Sequence, residues 1–156
     1  MKKQFLLIIL AVFLFSSCKK EEKDPEPNPT PLKTKTELLI SSPWKLVATT
    51  VDPAIAGTSD LYAEMEACEK DDLVKYEANK TGIYDDGATK CDPTDPQTEV
   101  FNWTWDLTET KITEDGMIYD VIQLNETTLK SEAILDGASF GGTPGVKYKF
   151  TATFKH

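Results

Sequence analysis

The sequence predicts an all-β protein: about eight short antiparallel strands in about 120 residues, folded as an up-and-down barrel or a sandwich. Three observations carry the prediction. Phe101, Trp103, Trp105 and Leu107 alternate with Asn102, Thr104 and Asp106. Val146, Tyr148, Phe150, Ala152 and Phe154 alternate with Lys147, Lys149, Thr151, Thr153 and Lys155. A period of two with one polar face is the pattern of antiparallel strands that keep one side in water. Third, Asn79-Lys80-Thr81-Gly82 and Asp115-Gly116 read as turns between apolar runs. A closed barrel has the added merit of leaving no strand edge exposed.

Residues 1–17 stand outside that pattern. Lys2 and Lys3 precede an unbroken apolar run from Phe5 to Phe15, and the small residues Ser16 and Ser17 follow. This is the layout of a secretory signal peptide. A run of about 11 apolar residues is short of the roughly 20 that span a bilayer. Phe15-Ser16-Ser17-Cys18 resembles the lipobox of bacterial lipoproteins, with Phe where Leu is commoner. The resemblance implies cleavage before Cys18 and diacylglycerol on its sulfur, so the first expected partner is a membrane, reached through acyl chains. Two or three chains anchor stably where one binds only marginally.

Residues 18–36 carry four prolines, many charges and one large apolar residue, Leu32. Such a stretch cannot bury enough to offset its chain entropy, and its alternating prolines favour extended polyproline II. At about 3 Å per residue it could hold a domain up to about 50 Å from the anchor. Lys19 to Asp24 is similar to the Lys-acidic-acidic signal of Bacteroidota lipoproteins placed on the outer face of the outer membrane. A solvated linker has the same composition. The expected location is the outer membrane, lipid-anchored, with surface exposure if that block is the signal.

After cleavage before Cys18 the chain keeps 15 of its 17 Lys and all 26 acids, so its charge is 15 − 26 = −11, and it has no arginine. With neither a basic patch nor the cation best suited to phosphate, nucleic acid is excluded as a partner.

The folded domain is predicted over 37–156. A helical turn over Glu37 to Ser42 would stop at Pro43. Trp44 to Val51 reads as the first strand. A short helix is expected between the first two strands, over 59–67, with Ser59 or Asp60 as N-cap and Leu61, Met65 and Cys68 on one face. Next come a strand placing Val74, Tyr76 and Ala78 on one face, a turn over 79–82, and a strand from Gly82 to Asp86. Strands follow over 100–107, 111–115, 117–124 and 127–135. The glycine-rich loop 136–145 leads to the closing strand.

From Trp44 to Leu124 the chain resembles the lipocalin-like domains of Bacteroidota lipoproteins. Pro43-Trp44-Lys45-Leu46 looks like the opening strand, whose tryptophan plugs one barrel end. The block from Ala67 to Pro93, with Cys68, Asp71-Asp72, Tyr76, Asn79, Gly82, Gly87 and Cys91, is similar to that family's cysteine-framed pattern. Residues 103–112 resemble its central Trp strand, and 119–129 its following hairpin. Ser42 stands where the wider lipocalin signature has glycine. The resemblance implies an eight-stranded lipocalin-like barrel. It names no ligand, because fold does not fix function.

With Cys18 assigned to lipid, Cys68 and Cys91 remain. Export permits oxidation, so they read as one disulfide, whose loop of about 24 residues would contribute about 3 kcal/mol. Zinc is the alternative, but no second ligand pair has the spacing. Trp44, Tyr76, Phe101, Trp103 and Trp105 are the candidate ligand lining, and the same residues would serve as core packing, because an eight-stranded barrel is just wide enough to fill itself. Asp71, Asp72, Asp85, Asp86, Asp92 and Asp95 form an acidic neighbourhood that suits calcium or plain solvation. Phe140, inside Gly137 to Gly145, is a candidate lid or partner contact. The only histidine, His156, ends the chain, so nucleophilic catalysis has no evident base. The sequence thus points to a non-enzymatic lipoprotein without cofactor or metal. It would bind a small apolar molecule or peptide, or else dock on an envelope protein with a filled core.

Overall fold

In the computed structural model, which describes residues 32–156, alternation along the chain becomes a closed barrel. Cys18, the signal segment and most of the predicted tether lie outside the described residues. The elements are α1 (Lys35–Leu39), β1 (Trp44–Ile55), β2 (Thr58–Asp60), α2 (Leu61–Glu64), β3 (Leu73–Tyr76), β4 (Thr81–Asp85), β5 (Thr98–Trp105), β6 (Lys111–Glu114), β7 (Met117–Leu124), β8 (Thr128–Asp136) and β9 (Lys147–Lys155). Strands β3 to β9 follow one another as an antiparallel meander, and β1 bridges its two ends, pairing β3 on one side and β9 on the other. The result is an eight-stranded up-and-down barrel of lipocalin-like architecture. The ninth strand, β2, only folds back on the far end of β1.

The inward side chains follow the predicted parity. Trp44, Tyr76, Phe101, Trp103, Ile112 and Leu129 are buried together with Leu39. Where buried indoles and phenols occur, their N–H and O–H groups find partners, as a dry interior requires. Trp44 donates to the Leu39 carbonyl (2.8 Å) and Trp103 to the Thr81 carbonyl (2.9 Å). Helix α1 seals this end of the barrel. Its Thr34 N-cap and Glu37 form a reciprocal capping box, and Thr36 accepts from the Trp105 indole (3.1 Å). His156 stacks on Trp44 with ring centroids 3.8 Å apart.

Several boundaries differ from expectation. Helix α1 begins at Lys35, inside the predicted tether, because the Thr34–Glu37 capping box starts it there. The helix expected over 59–67 shrinks to Leu61–Glu64, capped by Asp60, whose side chain accepts from the Ala63 amide (3.1 Å). The first strand runs through Pro53 to Ile55, and the left-handed residues Ala56 and Gly57 turn it back as β2. Proline is tolerated because no strand pairing is registered at Pro53. Leu107 is fully exposed: β5 ends at Trp105, and Asp106 then organises the turn by accepting from the Thr110 and Lys111 amides (2.7 and 2.9 Å). In the β3–β4 turn the left-handed residue is Lys80 (φ 70°), while Gly82 lies within β4. At Asp115-Gly116 both residues have positive φ, the form a tight two-residue hairpin needs.

Candidate functional site

The barrel has one weak seam. On the side of β1 that faces β3, only Trp44↔Val74 and Lys45↔Leu73 are paired, and the next pairing, Thr50↔Asp60, belongs to β2. Residues 46–49 of β1 therefore have no strand neighbour on that side. Helix α2 and the turns that follow it, up to β3, cover the seam. Cys68 and Cys91 form a disulfide with Cα atoms 5.3 Å apart, which pins this cover to the β4–β5 connection. Asp71 adds a second attachment by accepting from the amides of Ala88 and Thr89, both at 3.0 Å.

Beneath the cover lies a cavity of about 260 Å³. Its walls are Leu46, Val74, Tyr84 and Phe154 from the barrel interior and Met65 from the cover. Leu46 and Phe154 are directly opposed across β1 and β9, and Val74 and Tyr84 across β3 and β4, so all four share the inner face. Leu73 and four carboxylates, Glu69, Asp72, Asp85 and Asp86, complete the lining. Asp85 accepts from the Gly87 amide and the Gln97 side chain (3.0 and 2.8 Å). Burial pushes the Asp72 carboxyl above its ordinary range, and the neighbouring charges of Asp86, Asp71, Glu69 and Asp85 push it the same way.

Tyr84 connects the cavity to a polar group deeper in the barrel. Its hydroxyl donates to one oxygen of Glu114 (3.1 Å), and Tyr76 donates to the other (2.5 Å). Burial raises the Glu114 pKa, while the two phenols offset part of that rise by stabilising the carboxylate.

The five aromatics expected as a ligand lining lie elsewhere in the interior. Trp44, Tyr76, Phe101 and Trp103 are at most 5% exposed. Tyr76 packs edge to face on Phe101 and on Trp103, each at 5.6 Å, and Trp103 on Trp105 at 6.4 Å. None of the five borders the 260 Å³ cavity. Phe140 is folded down onto Tyr148 and Phe150 (5.1 and 5.3 Å) instead of standing free in its loop. Of the acidic neighbourhood, Asp72, Asp85 and Asp86 face the cavity, whereas Asp71 ties the cover to Ala88 and Thr89 and Asp92 is occupied in a local turn with Thr94.

Leu46 and Phe154 lie in strands that alternation assigns, and Glu114, which Tyr84 links to the cavity, shares parity with Ile112. Met65 and the acids Asp72, Asp85 and Asp86 are visible in the sequence as a helix face and an acidic neighbourhood, but their meeting in one cavity depends on how the cover crosses the seam. Comparison with known protein families and with curated proteins returns no match for this chain.

Proposed function

We propose that this chain is an exported, lipid-anchored envelope protein whose lipocalin-like barrel binds a small apolar molecule without transforming it. The observation that carries the reading is the 260 Å³ cavity behind the β1–β3 seam, walled by Leu46, Met65, Val74, Tyr84 and Phe154. At about 30 Å³ per water-sized group, that volume corresponds to about eight or nine heavy atoms. Burying such a body against apolar walls is the usual source of small-molecule affinity. The signal-like leader and Cys18 support the anchored location, and the acyl chains would be the link to the membrane.

The test is a chemical-shift titration of the full chain with 1-octanol. Localised shifts at Leu46, Val74 and Phe154, removed by Leu46→Trp, are expected. Shifts that are absent, or spread evenly over the surface, would sink the reading.

A second reading, a subunit docking on another envelope protein, draws on the exposed Ile118 and Ile122 of β7 and Ile134 of β8. The same titration separates the two, because a docking subunit needs no ligand at the seam.

A further inference from the structure

We infer that the seam cavity is selective for an amphipathic organic cation: an apolar tail of about eight heavy atoms ending in an ammonium group. The inference rests on the binding proposed above and adds the charge of the ligand.

Two independent features of the same cavity point this way. The first is the apolar wall of Leu46, Met65, Val74 and Phe154, which suits a tail and offers nothing to a charge. The second is the sign of every charged side chain that borders it. Glu69, Asp72, Asp85 and Asp86 line the cavity, and no lysine does. Among the described residues, none of these four carboxylates is in a salt bridge. Asp72 and Asp86 also have no side-chain hydrogen bond there, in contrast to Asp85 and Asp71. Asp72 feels the like charges of Asp86, Asp71, Glu69 and Asp85, so a cation beside it is favoured and an anion disfavoured. Among the described residues, no lysine borders this cavity.

An ammonium head at the rim would satisfy Asp72 and Asp86 while its tail occupied the apolar floor. An anion of the same length would meet four negative charges at short range. A neutral alcohol would gain the tail contacts alone. The Tyr84 ring at the edge adds an electron-rich surface on which a cation is also favoured.

The test is calorimetric titration of the full chain with three probes of equal length: octylammonium, 1-octanol and octanoate. Octylammonium should bind on the order of tenfold or more tighter than octanol, and octanoate weaker than octanol. Replacing Asp72→Asn together with Asp86→Asn should bring octylammonium down to the octanol value and leave octanol unchanged. The pair Asp52→Asn and Asp95→Asn removes the same net charge away from the cavity, and should leave the preference intact. Equal binding of octanol and octylammonium would overturn the charge selectivity while leaving the apolar site standing. So would a preference that survives D72N/D86N, or one lost equally in D52N/D95N. Failure of all three probes to bind would overturn both this inference and the reading beneath it.

Discussion

The ring of Phe101 occupies the space that a side chain on Gly82 would fill: a Cβ there would lie 2.1 Å from the Phe101 Cζ. The two residues are paired across β4 and β5, and both face the barrel interior. Gly82→Ala should therefore destabilise the domain by about 1–3 kcal/mol through overpacking. Urea unfolding of the variant measures it. In a Phe101→Ala background the same change should cost much less, because the clash partner is gone. Equal cost in both backgrounds would show that the ring contact is not the cause.

Glu114 should make stability depend on pH in a defined direction. Its folded-state pKa is raised above the ordinary 4.5, so the folded protein holds that proton more tightly than the unfolded chain does. The contribution is fully present below 4.5 and is lost as pH rises through the folded value. Glu114→Gln removes the titration, so the variant should gain stability relative to the native protein between pH 4.5 and 8. Carboxylates with lowered pKa values, such as Asp71 and Asp136, act in the opposite direction, but they are common to both proteins and cancel in the difference. Thermal melts of the two proteins across that range check the sign, and a constant gap would refute it.

Tyr76→Phe should cost about 1–3 kcal/mol, because it leaves a buried carboxylate oxygen without its donor. It should also raise the Glu114 pKa further, since the lost bond had favoured the charged form. Tyr84→Phe should have the smaller effect, as its bond is longer and its ring more exposed. A titration of the Glu114 side chain followed by NMR reads both changes.

Reducing the Cys68–Cys91 disulfide, or replacing both cysteines with serine, should lower stability by about 3 kcal/mol for a sequence separation of 23. The loss should be concentrated in the seam cover. Hydrogen exchange should rise first at α2 and the turns after it, before the strands β5 to β9. Uniform loosening of the whole barrel would contradict this.

Cys18→Ala should abolish incorporation of labelled fatty acid and release the protein from the membrane fraction. Labelling that persists in the variant would remove the lipid anchor from the proposal.

Much of this architecture could be read from the chain. Strand parity placed Trp103, Tyr148 and Phe150 inward because a period of two leaves no other choice once one face is polar. Asp115-Gly116 marked its hairpin because both residues must take positive φ. The Cys68–Cys91 pair was legible on the expectation of export and of a lipid on Cys18, which leaves two cysteines to pair. Leu107 misled because alternation does not show where a strand stops, and the Asp106 carboxylate ends β5 by satisfying the amides of the next turn.

The seam was decided by tertiary structure alone. It exists because β1 pairs with β3 over two residues and meets β2 only from Thr50 onward, leaving residues 46–49 of that edge with no described strand beside them, and pairing length across the barrel is a long-range property. The same registry brings Leu46 and Phe154 from one side, Val74 and Tyr84 from the other, and Asp72 and Asp86 from two different connections into one cavity. Local sequence determines which way the four strand residues face. Only closure of the barrel determines which of them meet.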